Sequence, residues 1–465
     1  MTSIRASILI ILVGTVSVRA AVRHENFDQE PWNWQGVNNR STTPRTITQD
    51  FGFMAAQKRV GGRITPAAEP AFYGYRLPKP LSFNDHVNAS GKLCVAPGAG
   101  HFLLGLFNAG TLNEWRTPNT MVARINGRGA VGFHCHAEYC TSKWRAGAGL
   151  IRQSGRSEFR ELPADRVYDW KLEYDPNAEN DGGVFKFTLN GDSATVSVPA
   201  GHRADGALFT HFGILPVLKS LGAPGDFWID GVAINGKVFD FEADPYWEGL
   251  HNRRTYETRN CRPLFDFGWS PTQHAGGKAA GELGGLVFRG DCRYPQRMAC
   301  YGDPIASVTL KNGLWAAGKI AMTRGVTDST ACFGFYNSTE SMKSNPSQNQ
   351  GTARNFIGIT IEGPSSEGFY FYPVCRTSSR NARIPKMRDC PKIYPDSKNH
   401  TWSLNYEPPS TITVTLDDHR CKLNVQMDAA ELATSFDRFG ICTTWIDGNA
   451  VTMYLDDIEY TCSQP

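Results

Sequence analysis

The sequence of 465 residues has almost no excess of charge of either sign. Lys and Arg together number 48 and Asp and Glu 45, which gives a formal net charge of +3. Proteins that bind nucleic acid through its phosphates carry a pronounced excess of basic residues. This chain has no such excess, and we therefore expect no nucleic-acid partner.

Long apolar runs are lacking after the N-terminus. Residues 1–20 combine Arg5, an apolar run over 8–18 and the small residue Ala20. The run is shorter than the roughly 20 residues that a membrane-spanning helix needs, and its flanks are typical of a secretory signal. The sequence therefore predicts a signal peptide over 1–20 and a secreted, extracellular protein without a membrane span.

The motifs of several common enzyme classes are absent. The sequence contains no G-x-S-x-G, no H-E-x-x-H and no C-x-x-C. These absences argue against an α/β-hydrolase nucleophile elbow, a zincin site and a dithiol redox site. The Gly-rich stretch HAGGKAAGELGG at 274–285 does not follow a strand and open a helix, so it predicts a loop rather than a phosphate-binding turn.

Helical periodicity is nearly absent, whereas alternating strand patterns are frequent. DWKLEYDP at 169–176, VFKFTLNGD at 184–192 and TITVTLDDH at 411–419 each alternate apolar and polar residues and end at turn residues. This pattern is typical of half-buried antiparallel strands. The 46 Gly, 27 Pro and 11% aromatic residues suit many short strands joined by tight turns. We therefore predict an all-β protein.

One long unit occurs twice in the chain. FDQEPWNWQGVNNR at 27–40 returns as FEADPYWEGLHNR at 241–253, and QDFGF at 49–53 returns as FDFGW at 265–269. Three later matches keep the same order: WKLEYDP with WSLNYEP, HFGI with RFGI, and FWIDGVAING with MYLDDIEYT. Because order and spacing are kept, the sequence indicates a tandem duplication.

Each unit ends in the same kind of strand. A Trp-x-Leu-x-Tyr strand, two or three hairpin strands and a closing [FM][WY][IL]D[GD][VI] strand resemble the jelly roll of the concanavalin A-like lectin and glucanase superfamily. The loops EWRTPNTMVARINGRG and YCTSKWRAG resemble uncharacterised secreted members. The resemblance implies two tandem jelly-roll β-sandwich domains, over residues 27–236 and 239–463.

Twelve cysteines in an exported chain favour disulfides over free thiols. We predict at least four bridges, with Cys135–Cys140 and Cys292–Cys300 as local loops. Three cysteines lie in the first unit and nine in the second, which favours one bridge between the units. Four N-x-S/T sequons permit glycosylation, at Asn39, Asn88, Asn337 and Asn399.

The stretch GFHCHAEYC at 132–140 concentrates reactive side chains. On a strand, His134, His136 and Glu138 project to one face, where they could act as catalytic acids and bases or hold a divalent metal. The second unit places Tyr370 and Tyr372 at the two His positions. His in one copy and Tyr in the other fit a sugar-contacting face better than a metal site. A histidine pair packed at the domain junction is an equal alternative.

Aromatic and Arg residues in two loops point to ligand recognition. Trp115 with Arg116, and Trp144 with Arg145, combine a ring that stacks on sugars with a planar cation that binds carboxylates. With Tyr370 and Tyr372 they are the predicted substrate-binding residues. Packing of each Trp in the core is the alternative.

Acidic residues recur beside the first and last strands of each unit. FEADPYWE superficially resembles the Glu-x-Asp-x-x-Glu strand of laminarinase-type glucanases, but its spacing differs and Pro245 interrupts it. In jelly rolls the first and last strands often lie together, and clustered carboxylates there suit a structural Ca²⁺. The candidate ligands are Asp28, Glu30, Asp230, Glu242, Asp244, Asp456 and Asp457. Plain surface charge is the alternative for these residues.

Two functions from different classes follow from these residues. The first is an extracellular polysaccharide lyase or glycoside hydrolase that acts on a glycan, with uronate as a candidate component, through His134, His136 and Glu138. The second is a non-catalytic, lectin-like protein with two carbohydrate-binding modules. The asymmetry between the copies favours the enzyme, and the missing pair of catalytic carboxylates favours the lectin.

Overall fold

The computed structural model describes residues 20–98, 100–112, 117–150, 161–179, 182–220, 222–262, 264–363, 368–446 and 448–463. Two short α-helices lie in these ranges, α1 (Ala200–Asp205) and α2 (Ala429–Leu432), besides the 3-10 turns Ala55–Gln57, Ala109–Thr111, Pro295–Arg297 and Met387–Asp389. None of the helices described is long and apolar enough to cross a membrane. The proposed signal peptide falls almost wholly outside the described residues.

The first sandwich contains two antiparallel sheets. One sheet has the order β13 (Asp192–Ser197), β12 (Val184–Leu189), β11 (Val167–Asp175), β6 (Val87–Val95), β15 (Gly225–Ile234), β4 (Arg59–Ile64), β3 (Arg45–Met54) and β18 (Arg253–Thr258), with β16 (Lys237–Phe239) beside β15. The other has the order β10 (Arg145–Gly149), β9 (Phe133–Cys140), β8 (Thr120–Gly127), β7 (His101–Phe107), β14 (Leu208–Pro216), β5 (Phe72–Ser82) and β17 (Glu248–Leu250). We call the second of these the histidine sheet.

The second sandwich repeats this plan. One sheet has the order β19 (Asp266–Ser270), β20 (Glu282–Phe288), β31 (Ala450–Ser463), β22 (Leu314–Gly325), β27 (Asn399–Glu407), β28 (Thr411–Leu416) and β29 (His419–Asn424), with β1 (Ala21–Glu25) beside β31. The other has the order β2 (Gln35–Val37), β21 (Ala299–Thr309), β30 (Ser435–Thr443), β23 (Ser329–Tyr336), β24 (Phe356–Gly363), β25 (Phe369–Arg376) and β26 (Lys392–Ile393). The predicted all-β fold of two β-sandwiches is confirmed.

The strands form where the sequence alternates. In β11 the apolar residues Tyr168, Trp170, Leu172 and Tyr174 are buried and the residues between them are exposed or half-buried. The hairpin between β12 and β13 turns at Asn190 and Gly191, whose φ angles are 47° and 91°. Asn and Gly adopt this left-handed conformation more readily than other residues, which explains the Asn-Gly pair.

Each sandwich is completed by a segment that contains one copy of the repeated motif. Residues 21–40, the N-terminal closing segment, pair with the second sandwich, since β1 lies beside β31 and β2 beside β21. Residues 237–258, the middle closing segment, pair with the first sandwich through β16, β17 and β18. The strand pairing therefore differs from the boundaries 27–236 and 239–463. Long-range pairing decides which sheet a segment joins, and chain order does not specify it.

The two closing segments make matching contacts. The Asn39 side chain donates to the Phe267 carbonyl at 2.7 Å, and the Asn252 side chain donates to the Phe51 carbonyl at 2.6 Å. Phe27 and Phe241 both have positive φ, 52° and 55°. The repeated motif therefore completes a sandwich in both places. Its first copy, at 27–40, completes the second sandwich, and its second copy, at 241–253, completes the first sandwich.

Each sandwich has its own hydrophobic core, and each core contains aromatic residues of the closing segment that pairs with that sandwich. The first core contains Trp247 and Phe241 together with buried residues between Phe51 and Phe239. The second contains Phe27 and Trp34 together with buried residues between Phe265 and Tyr460. Trp34 packs against Tyr301, with ring centroids 5.5 Å apart, and Trp247 packs against Tyr73 at 5.7 Å.

The predicted cysteine bridges are not formed. The structure contains one disulfide, Cys390–Cys421, and the other ten cysteines are thiols. Cys135 and Cys140 lie five residues apart on the single strand β9, on opposite faces, so their side chains cannot meet. Cys292 donates instead to the Gln350 carbonyl at 3.4 Å.

The four sequons differ in exposure. Asn39 is buried and its amide is used in the closing contact described above, so it is not accessible for glycosylation. Asn337 is half-buried and donates to the Ser435 carbonyl at 3.2 Å. Asn88 and Asn399 are exposed and stay predicted acceptors.

Candidate functional site

The histidine sheet carries the candidate site on the face turned away from the core. Cys135, Ala137 and Tyr139 of β9 belong to the first core. His134, His136 and Glu138 alternate with them and therefore lie together on the other face. The predicted alignment of three polar side chains is thus present in the structure.

Two arginines surround the Glu138 carboxylate. Arg124, on the neighbouring strand β8, and Arg145, the first residue of β10, both donate to Glu138 Oε1, and Arg145 Nε reaches Oε2 at 3.3 Å. All three side chains are mostly buried. Burial by itself raises the pKa of Glu138, but the two adjacent positive charges outweigh it, and the pKa lies below its usual value. At neutral pH Glu138 is therefore an anion that holds the two arginines.

Three histidines of this face are neutral at physiological pH, namely His101, His134 and His136. Burial lowers the pKa of His136 to about 4, and the Arg124 charge acts in the same direction. Burial and Arg128 lower the pKa of His134. On β7, burial lowers the pKa of His101 to about 3, with Lys219 and Arg124 adding to the shift. The face thus combines proton-accepting imidazoles with fixed positive charge.

The covered end of this face is small. Thr117, Val217 and Leu218 lie over Arg124 and Glu138 and leave a cavity of about 20 Å³. This volume holds one water molecule, not a sugar ring. At the other end of the strand, the His134 side chain lies 4.0 Å from the Glu161 carboxylate.

Of the four predicted loop residues, the structure describes Trp144 and Arg145. Trp115 and Arg116 lie outside the described residues. Trp144 is 45% exposed and stacks on His202, with ring centroids 5.2 Å apart and an interplanar angle of 5°. Arg145 belongs to a strand and bonds Glu138 rather than extending from a loop.

The second sandwich has tyrosines at the matching positions. Tyr372 is fully buried and donates to Glu362 at 2.6 Å, and Glu362 also accepts from Arg289 at 2.9 Å. The ring of Tyr370 is half-buried below the Lys392 ammonium group, 4.9 Å away. The Tyr372 hydroxyl is therefore engaged by Glu362, and sugar contact by Tyr370 and Tyr372 stays a prediction.

The seven carboxylates proposed for Ca²⁺ have other environments. Glu242 pairs with Lys58 at 2.5 Å, Asp457 pairs with Lys319 at 3.0 Å, and Asp244 accepts from the Tyr246 backbone at 2.8 Å. Asp456 is buried against Gly277, and burial raises its pKa to about 6. Asp28 and Glu30 are exposed and Asp230 is half-buried. Within the described part of the chain, no three His, Cys, Asp or Glu side chains lie together as a metal site, and the structural Ca²⁺ stays a prediction.

Three side chains of the histidine sheet were not predicted from the sequence. Arg124 and His101 lie on strands other than β9, and their one available signal was the alternation of MVARING and HFLLGLF. His211 bonds Glu248 at 3.0 Å, and this bond lowers the pKa of Glu248. At the matching position Arg438 bonds Gln35, also at 3.0 Å. Both pairs join a closing segment to its sheet, which indicates a structural role for His211.

Comparisons with known proteins give only distant similarities. No protein-family model and no curated protein sequence matches this chain. Among solved structures, domains LG4-5 of the mouse laminin alpha1 chain are 10% identical, with 96% of this chain and 92% of that chain covered and a TM-score of 0.23. The Emp47p carbohydrate recognition domain is 12% identical over 42% of this chain and 88% of its own, with a TM-score of 0.27. An alginate lyase from Pseudomonas aeruginosa is 11% identical over 41% and 87%, with a TM-score of 0.25. Similarity at this level says nothing about what this chain binds or does.

Proposed function

We propose that the histidine sheet binds an acidic polysaccharide and cleaves it by β-elimination. The observation that carries this proposal is the placement of the neutral His136 beside Arg124 on the polar face. An elimination next to a carboxylate needs a base that is unprotonated at working pH and a fixed positive charge for the developing enolate. His136 supplies the first of these and Arg124 the second.

The same geometry disfavours hydrolysis. Glycoside hydrolases pair a carboxylic acid with a second carboxylate on opposite sides of the scissile bond. Glu138 is held as an anion by two arginines, so it cannot donate a proton at neutral pH. Its role in the proposed reaction is to position Arg124 and Arg145.

The proposed reaction balances without a cofactor. The His136 imidazole takes the proton from the carbon next to the uronate carboxylate, and that electron pair forms the new carbon–carbon double bond. The bond to the glycosidic oxygen breaks, and the leaving oxygen takes a proton from water or a neighbouring donor. The products are one chain with an unsaturated end and one with a free hydroxyl.

The test is a pair of histidine variants. His136→Ala should reduce formation of the unsaturated product, followed by its ultraviolet absorbance, by at least about a hundredfold, because general base catalysis contributes about that factor or more. The exposed His419→Ala is the matched control and should keep wild-type activity. Equal product formation by both variants on uronate polysaccharides, or no cleavage by the wild type, would refute the lyase.

A lectin-like function is the second candidate, because the two closing segments expose aromatic rings. Trp32 is 94% exposed and Tyr246 is 88% exposed, and each follows a Pro at the same place of the repeated motif. Exposed rings stack on sugar faces. If both sandwiches bind glycan in this way, Trp32→Ala and Tyr246→Ala should each weaken retention on a glycan array, and the double variant should abolish it. Wild-type retention by the double variant would exclude this candidate.

We further propose that the chain is exported after removal of residues 1–20. The support is the sequence pattern of this stretch. N-terminal sequencing of the protein recovered from the culture medium should begin at or near residue 21, and an intact Met1 would contradict export by this route.

A further inference from the structure

Three thiols lie side by side across the second sandwich. Cys300 of β21 is the direct register partner of Cys442 of β30. On the other side of β30, Phe333 pairs with Ile441, so Cys332 of β23 is next in register to Cys442. We call Cys300, Cys442 and Cys332 the thiol row.

The thiol row shares one environment. Tyr301, Ile441 and Phe333, the neighbours along the three strands, point into the second core. The thiols therefore point to the opposite face, where they form a separate buried cluster with Tyr336 and Phe356. The Cys442 sulfur also lies 3.9 Å from the sulfur of Met342.

Packing alone does not require sulfur at these positions. In the first sandwich the same places in register are taken by Phe72, Leu215 and Leu103, which form an equivalent apolar cluster. Apolar side chains thus fill this layer in one copy of the unit, whereas the other copy has three thiols in contact range.

We propose that Cys300 and Cys442, which are thiols in this structure, form a cross-strand disulfide when the chain folds in an oxidising medium. Facing residues of an antiparallel pair have Cα atoms about 4.5–5.5 Å apart, which falls within the range of disulfides. Two thiols and one molecule of a disulfide oxidant, such as oxidised glutathione, give the protein disulfide and two reduced thiols, so atoms and electrons balance. Cys332 stays a thiol.

The bond has to form while the chain folds. Burial raises the pKa of Cys442 well above its usual value, so its reactive thiolate is scarce in the folded protein. The bond would join β21, whose other edge holds the N-terminal closing segment through Cys300 and Val37, to β30. It would therefore fix the strand against which that segment docks.

The test is refolding of the full chain in a mixture of oxidised and reduced glutathione, followed by alkylation and mass spectrometry without reduction. We expect a peptide pair linked through Cys300 and Cys442 that has lost two hydrogens, and an alkylated Cys332. Cys332→Ala is the matched control from the same cluster and should keep the link, whereas Cys300→Ala should remove it.

The Cys390–Cys421 bridge is the internal standard of this experiment. If that bridge is linked and Cys442 is nevertheless recovered as an alkylated thiol, or joined to any other cysteine, the proposal is wrong. Because this readout is independent of any polysaccharide, it does not depend on the proposed lyase activity.

Discussion

At the scale of single residues, Glu138 holds the candidate site together. Its carboxylate is buried between Arg124 and Arg145, and removing its charge would leave two buried cations without their counter-ion. Breaking a buried ion pair from one side costs about 3–5 kcal/mol. We expect Glu138→Gln to lower the free energy of unfolding by about 3 kcal/mol in urea denaturation.

The control for this variant is Glu161→Gln. Glu161 lies on the same face but is more exposed, and its contact with Arg128 is 3.6 Å long. Exposed ion pairs contribute about 0–1 kcal/mol, so the control should stay close to wild type. Equal losses from the two variants would show that Glu138 does not support the site.

His136 should give the protein a dependence of stability on pH. Its pKa falls from 6.5 in the unfolded chain to about 4 in the folded protein. Above pH 6.5 it is neutral in both states, whereas between pH 6.5 and 4 the unfolded state alone binds the proton. Stability should therefore fall by about 3 kcal/mol as pH decreases through this window, and below it the loss should stop growing.

The measurement is the melting temperature of wild type and His136→Gln between pH 7 and pH 4. The variant cannot bind this proton, so its curve should be flatter over the window, and His419→Gln should follow the wild type. Parallel curves for wild type and His136→Gln would contradict the buried, neutral state of this imidazole.

The sequence predicted side-chain placement correctly where the placement depends on a single strand. The period of two placed His134, His136 and Glu138 on one face, because alternation is a local property of a strand. It could not reveal that Arg124 and Arg145 neutralise Glu138, since the partners meet only after β8, β9 and β10 pair. The Glu138 carboxylate, expected from the sequence to be available for catalysis, is therefore engaged in ion pairs.

At the scale of elements, Trp34 and Trp247 occupy equivalent places in the two closing segments but are buried in different sandwiches. Trp34→Ala should destabilise the second sandwich and Trp247→Ala the first, each by about 3–5 kcal/mol, because each ring is buried in that core. Hydrogen exchange followed by mass spectrometry should show lost protection within 266–463 for Trp34→Ala and within 45–258 for Trp247→Ala.

Each of these variants is the other's control, since both remove the same ring from the same motif. Loss of protection in the first sandwich on Trp34→Ala would mean that the N-terminal closing segment follows chain order after all. No loss in either sandwich would mean that the ring contacts contribute little.

The sequence repeats revealed which segments are equivalent but not where they dock. The motif at 27–40 and 241–253 was visible because its residues are the same. Docking of the N-terminal closing segment depends on pairs such as Arg23 with Asp303, whose sequence separation is 280 residues. Because the two units are similar in sequence, the sequence does not tell whether a closing segment docks on the first or on the second sandwich. The strand pairing of the folded chain distinguishes these two arrangements.

At the scale of the whole molecule, residue 21 lies beside residue 463. The register of β1 and β31 makes Ala21 the partner of Ser463. In the first sandwich the corresponding strands β15 and β16 are joined directly by Asn235 and Gly236, with φ angles of 47° and 85°. An Asn-Gly link from 463 to 21 should therefore give a permuted second sandwich, 261–463 followed by 21–41, that folds.

The matched control is residues 261–463 without the added segment. It lacks Phe27 and Trp34 and leaves the edge of β21 unpaired, so we expect a partly unfolded protein with poor dispersion in its proton NMR spectrum. If both proteins give equally well dispersed spectra, closure by the N-terminal segment is unnecessary for this fold.

The exchange of closing segments also sets an order in time. A ribosome releases the N-terminal closing segment first, but its partner β21 follows only at Ala299–Thr309 and its partner β31 comes last, at Ala450–Ser463. The first sandwich is complete when Thr258 has emerged, and domains generally fold as they are synthesised. Until the rest of the chain has been synthesised, the apolar side chains of Phe27 and Trp34 remain exposed to solvent. Each nascent chain therefore passes through a period in which a neighbouring copy, or a chaperone, can capture its first strand before its own last strand exists.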